Sequence, residues 1–123
     1  MCIVFTNQPE VARGLLAPDI LEQMHAALRS SVAIDDIVVC PHVDADGCEC
    51  RKPSPGMLRQ AAERWEVDLE RSFVAGDRWR DIDAGRAAGC HTVLLERAYS
   101  KCTTADASVS TLPEAVDLIL ARA

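Results

Sequence analysis

Four short runs rich in β-branched and aromatic residues, CIVF (2–5), DIVVC (36–40), SFVA (72–75) and HTVLL (91–95), alternate with segments whose apolar residues recur at helical spacing. Pro18 fits a first helical turn, and Ile20, Leu21, Met24, Ala27 and Leu28 follow at helical intervals, which predicts a helix over 18–30. Ser54 and Pro55 open a second helix that runs to about Trp65. In GDRWRDIDAGRAAG the positions of Ile82, Ala84 and Ala87 predict a third helix, ended by Gly89, and a last one begins near Pro113. Residues 97–111 read as a loose connection. Strand and helix in alternation imply an α/β fold with a parallel sheet covered on both faces. With 123 residues the chain has room for one domain, 1–123, with CIVF as a buried strand that delivers Thr6, Asn7, Gln8 and Pro9 at its C-terminal end.

The most unusual stretch is CPHVDADGCECRKPSPGM, residues 40–57. Cys40 and His42 form a C-x-H pair, and after five residues Cys48 and Cys50 form a C-x-C pair. Three thiolates and one imidazole are the donor set of a tetrahedral Cys3His zinc site, so the loop 40–50 is expected to bind Zn²⁺. A disulfide framework would scatter its cysteines through a short secreted chain, whereas three of the six crowd into this loop. The alternative is a set of unpaired cysteines in a polar loop. Cys2, Cys90 and Cys102 read as a strand residue, a helix-end residue and a loop thiol, with no chemistry assigned.

In parallel sheets, ligands bind beyond the carboxyl ends of the strands. Thr6 and Asn7 follow the first run, Arg51 and Lys52 precede the second helix, and Asp77, Arg78 and Asp81 follow the third run. A hydroxyl, an amide, fixed cations and a carboxylate pair at one rim suit a phosphate with its Mg²⁺. Singly, each has a plainer role: Thr6-Asn7 capping a turn, Lys52 on a solvated face, and Asp77 with Asp81 at an exposed helix start. The net charge of −6 argues against nucleic acid and anionic membranes as partners. No apolar run approaches the roughly 18 residues of a spanning helix. The start, MCIVFTNQPE, lacks a signal-peptide pattern, so a cytoplasmic location is expected.

TNQPEVARG, CPHVDADGCECRKPSPGM and VAGDRWRDIDAGRAAG together resemble the second, zinc-plus-third and fourth motifs of the haloacid dehalogenase (HAD) superfamily. Within it they are closest to the D-glycero-D-manno-heptose 1,7-bisphosphate phosphatases and the related histidinol-phosphatases. The resemblance covers nearly the whole chain, and the zinc loop is its most specific part. It implies a Rossmann-like, capless fold and Mg²⁺-dependent hydrolysis of a phosphate monoester, the substrate being a small phosphorylated sugar. Carried over by motif, Thr6 and Asn7 hold the phosphate and Arg51 and Lys52 neutralise it. Asp77 binds Mg²⁺, Asp81 supports that site from behind, and Arg78 contacts substrate. Zinc would be structural, since four protein ligands leave no open position, and would stiffen the loop that presents Arg51 and Lys52. Gly56-Met57 after RKP fits the heptose type better than the histidinol type.

One element of the superfamily pattern is missing from these residues. Its members attack phosphorus with an aspartate of a DxDxT/V motif at the end of the first strand, while the second aspartate serves as acid and base. Asp44-Ala45-Asp46-Gly47 has similar letters but lies between His42 and Cys48, not after a strand, and reads as a loop. No catalytic nucleophile is therefore assigned. In such a fold the strand carrying it is central, between 2–5 and 72–75. The expectation is an N-terminally incomplete domain: a fragment, or a chain that closes the gap by pairing those strands directly, by borrowing a strand or by self-association through open edges. Loss of the nucleophile removes most of the rate, so a non-catalytic phosphate-binding or interaction module is the alternative to a phosphatase.

Overall fold

The computed structural model describes residues 1–101 and 103–123, so the expectation for Cys102 lies outside the described residues. The chain forms two compact units, Met1–Arg51 and Lys52–Ala123.

The first unit holds β1 (Ile3–Asn7), α1 (Pro9–Ala12), α2 (Pro18–Ser31) and β2 (Asp36–Cys40). β1 and β2 are parallel, in register from Ile3 opposite Asp36 to Asn7 opposite Cys40. The ladder is extended by the Gln8 N–H, which donates to the Cys40 carbonyl at 2.8 Å. β1 thus runs through Thr6 and Asn7 before Pro9 turns the chain into α1. Its five residues are half-buried and Cys2 is exposed, which corrects the expectation of a buried strand. The physical reason is that β1 ladders only with β2 among the described residues, so one edge lacks a neighbouring strand. Val38 and Cys40 point inward from β2, and Leu21 is the buried residue of α2.

The second unit holds α3 (Gly56–Trp65), β3 (Phe73–Gly76), α4 (Trp79–Ala88), β4 (His91–Leu95), β5 (Ala107–Val109) and α5 (Leu112–Arg122). Its three strands lie in the order β3-β4-β5, all parallel. The described strands therefore form two sheets, and direct pairing of 2–5 with 72–75, one of the expected closures, does not occur. α3 starts later than expected, at Gly56, because Pro55 occupies the N-cap position with no side-chain cap bond. β5 falls inside the segment expected to be a loose connection. Its three residues, ASV, are held by pairing with Val93, Leu94 and Leu95 and not by any apolar run of their own. Met57, Ile82 and Val93 are fully buried and form the centre of this unit. α4 lies close on the sheet because Gly85 has no side chain: a Cβ there would stand 2.9 Å from Val74 Cβ. Among the described residues no helix is long and apolar enough to cross a membrane.

Candidate active site and thiolate cluster

In the first unit the parallel register sets Asn7 directly opposite Cys40, so the polar end of β1 lies beside the start of the cysteine loop. Thr6 Oγ1 accepts from the Gln8 amide at 3.1 Å. After β2 the chain makes a 3-10 turn at Asp44–Asp46, and Gly47, with φ 61°, reverses it in a left-handed conformation that suits glycine. That reversal returns Cys48 and Cys50 towards Cys40 and His42. Cys48 Sγ lies 3.6 Å from both Cys40 Sγ and Cys50 Sγ, and His42 Nδ1 lies 3.3 Å from Cys50 Sγ and 3.6 Å from Cys40 Sγ. Cys40 and Cys50 sulfurs are 2.6 Å apart, and all the cysteines of the cluster are free thiols.

The four donor atoms lie within 4.8 Å of one another. Bonds of about 2.3 Å to sulfur and about 2.0 Å to nitrogen at tetrahedral angles separate ligands by roughly 3.5 Å, so most of the observed spacings already suit one zinc ion. The clustered thiols also influence one another's ionisation. At Cys48 burial is the largest single influence and acts upwards, yet it is outweighed by donors that lower the thiol to about 7: the Arg51 N–H, the Cys50 and Cys40 thiols and the Cys50 N–H. At Cys50 burial acts first, hydrogen bonds to Cys40 and Cys48 and their charge add to it, and the thiol is pushed up to about 12.

Arg51 belongs to this loop. Its Nε donates to Asp44 Oδ1 at 2.5 Å and its other arm to the His42 carbonyl at 3.2 Å. Asp46 accepts from the Val43 N–H at 2.8 Å. Asp44 and Asp46 thus hold local structure, as a loop role predicts.

In the second unit β3 ends at Gly76, and Asp77, Arg78 and the head of α4 follow. Asp81 is buried, with 7 % of its surface exposed. Lys52 Nζ donates to Asp81 Oδ1 at 2.5 Å, and the Arg78 N–H donates to Oδ2 at 3.1 Å, capping the helix. Gly76 is required by this packing, because a Cβ there would lie 2.4 Å from Asp81 Cβ. Arg80 reaches back to the Lys52 carbonyl at 3.3 Å. Lys52, Arg78 and Asp81 are therefore brought together at the N-terminus of α4, beside Asp77.

Asp77 has a neighbour that sequence patterns did not reveal. The Tyr99 hydroxyl donates to Asp77 Oδ2, and that bond to a carboxylate is the main cause raising the phenol above its usual range. The Arg78 guanidinium lies over the Tyr99 ring, 4.7 Å from its centroid. A signal existed: this is the chain's single tyrosine, and it stands just past the carboxyl end of a strand. Cys90, by contrast, is buried behind α4, and burial pushes its thiol up.

Comparison with known proteins adds an independent line. Residues 49–119 match the HAD-hydrolase-like family model. The chain is 48 % identical over 98 residues to the D-glycero-beta-D-manno-heptose-1,7-bisphosphate 7-phosphatase of Pseudomonas aeruginosa, a match covering 76 % of this chain and 55 % of that protein. To the protein of the same name from Bordetella bronchiseptica it is 38 % identical over 117 residues, covering 91 % of this chain and 64 % of the relative. The chain thus spans 55 % to 64 % of the length of these curated relatives. A crystal structure of D,D-heptose 1,7-bisphosphate phosphatase from B. bronchiseptica, complexed with magnesium and phosphate, superposes with a TM-score of 0.87 at 32 % identity. That match covers 98 % of this chain and 74 % of the other.

Proposed function

Because the chain belongs to the heptose-bisphosphate phosphatase family of HAD hydrolases, we propose that it acts in the hydrolysis of a phosphate monoester on a sugar bisphosphate, as its relatives' names describe. The observation that carries this most directly is the Lys52–Asp81 pair at the head of α4, next to Asp77 and Arg78. A cation held by a buried carboxylate at a helix N-terminus favours a phosphoryl group on two counts, fixed charge and aligned N–H groups.

In the proposed assignment, Lys52 neutralises the phosphoryl oxygens while Asp81 keeps its ammonium from swinging into solvent. Asp77 holds Mg²⁺, with Asp81 supporting from behind, and Arg78 contacts the sugar or its second phosphate. For the first unit, the motif resemblance assigns phosphate-binding roles to the Thr6 hydroxyl and the Asn7 amide and a neutralising charge to Arg51, whose side chain is held by Asp44 and the His42 carbonyl. Mg²⁺, when bound, supplies Lewis-acid stabilisation of charge on the phosphoryl oxygens. Cys40, His42, Cys48 and Cys50 hold Zn²⁺, whose part is to rigidify the loop. No residue of this chain is assigned as nucleophile. A single HAD-like domain over 1–123, a cytoplasmic setting, and self-association or strand borrowing through open sheet edges belong to the same proposal.

Phosphate release from heptose 1,7-bisphosphate and from histidinol phosphate, with and without Mg²⁺, tests it. Turnover of the heptose bisphosphate that falls about 100-fold or more in Asp77→Asn supports the phosphatase. The sequence pattern, with no DxDxT/V among these residues, favours a second outcome to be looked for: phosphate binding, weakened in Lys52→Ala, without turnover. That result replaces the enzyme with a binding module, and neither binding nor turnover overturns both.

A further inference from the structure

Beyond β4 the chain turns back towards the end of β3, and Ser100 fixes that turn. Ser100 retains 3 % of its surface exposed; its hydroxyl donates to the Asp77 carbonyl at 2.6 Å and accepts the Arg97 N–H at 2.9 Å. The position of Tyr99, one residue earlier, is therefore set by a buried polar anchor and not by a loose loop. Its side chain makes two directed contacts: the hydroxyl to Asp77 Oδ2 and the ring to the Arg78 guanidinium at 4.7 Å. A carboxylate turns broadly about its last torsion. A phenolic proton on Oδ2 fixes that rotation and leaves Oδ1 as the oxygen presented to a cation.

We infer that Tyr99 is a positioning residue for the proposed site: its hydroxyl orients the Asp77 carboxylate towards the divalent cation, and its ring aims the Arg78 guanidinium at the substrate. The inference rests on Asp77 as metal ligand and Arg78 as substrate contact. Hydrogen-bond partners of metal-binding carboxylates typically account for a 10- to 100-fold difference in metal affinity. The two contacts are separable, since Tyr99→Phe keeps the ring and removes the hydroxyl, whereas Tyr99→Leu removes both.

The test titrates Mn²⁺, a paramagnetic substitute for Mg²⁺, into the full zinc-saturated protein and follows free Mn²⁺ by electron paramagnetic resonance. Heptose bisphosphate binding is measured by calorimetry on the same samples. Tyr99→Phe is expected to weaken Mn²⁺ binding about 10-fold, with the urea midpoint and sugar affinity unchanged. Tyr99→Leu is expected to show the same Mn²⁺ loss and, in addition, about 3-fold weaker heptose bisphosphate binding. Asp77→Asn separates the layers. If it abolishes Mn²⁺ binding while Tyr99→Phe leaves it unchanged, the Tyr99 inference is overturned and the metal assignment stands. If Asp77→Asn has no effect, or the unsubstituted chain binds no Mn²⁺, the metal assignment fails and the Tyr99 inference with it. Equal sugar affinity in the Phe and Leu variants overturns the role of the ring.

Discussion

Lys52 and Asp81 keep only 12 % and 10 % of their side-chain surfaces exposed, and their 2.5 Å contact joins the start of the second unit to the head of α4. Charges in such a position have lost most of their water, so what matters is the countercharge and not the bond count. Asp81→Asn keeps the shape and the helix-capping oxygen but removes that countercharge. Breaking a fully buried pair costs about 3–5 kcal/mol. With a tenth of each side chain still wet, about 2–3 kcal/mol is expected from urea unfolding. A loss below about 0.5 kcal/mol, the scale of a surface pair, would show that the contact only positions Lys52. RKP and GDRWRD singled out both residues, Lys52 for the phosphate and Asp81 for support of Mg²⁺, but their pairing with each other, 29 positions apart, was not legible in the sequence. Tyr99 was not singled out. Its partner Asp77 is 22 positions away, and the one signal ERAYSK offers is a single tyrosine just past the end of a strand, which names no partner. The same holds for the Arg51–Asp44 contact, which is made within the cysteine loop by geometry that letters do not encode.

Elements with their own apolar period match the sequence reading within a residue: α2, expected over 18–30, spans Pro18–Ser31, and β2 (Asp36–Cys40) and β4 (His91–Leu95) fall on the expected runs. β5 escaped because its stability is borrowed. Ala107–Val109 is held by β4 and by the residue before it, Asp106, whose carboxylate accepts the Thr92 N–H at 2.8 Å and the Thr92 hydroxyl at 3.2 Å. Thr92 is fully buried, and its N–H is the main cause holding the Asp106 carboxyl below the usual carboxylate range. A group whose folded value lies below its unfolded one stabilises the fold above the unfolded value, and that contribution fades as pH falls through the folded value. Asp106→Ala is therefore expected to destabilise the β4–β5 ladder by about 1 kcal/mol at pH 7, read from amide exchange at Leu94 and Val109. The gap between variant and parent should narrow as pH falls below about 4. A gap that stays constant across that range would mean the carboxylate's charge is not what ties β5 down.

At the scale of the molecule, strand-helix alternation correctly announced an α/β protein with parallel pairing, and the described strands form two parallel sheets. The division into Met1–Arg51 and Lys52–Ala123 falls immediately after the cysteine loop, at a boundary no change of composition marks. It makes the role of zinc separable. All four proposed ligands lie in the first unit, where Cys40 is at once a candidate metal donor, the last residue of β2 and the register partner of Asn7. A two-stranded sheet is marginal by itself, so a metal that anchors the end of β2 should contribute disproportionately to that unit. We expect one zinc per chain by elemental analysis, released by a chelator or lost in Cys50→Ser. A loss of about 2 kcal/mol should lower Tm by roughly 10 °C. The more telling measurement is where protection disappears. Amide exchange should accelerate across Ile3–Asn7 and Asp36–Cys40 while Phe73–Gly76 and His91–Leu95 keep their protection. Uniform acceleration in both sheets would show that the zinc holds up the whole chain as one cooperative body, and a chain that carries no zinc at all would leave the thiolate cluster without its proposed ligand.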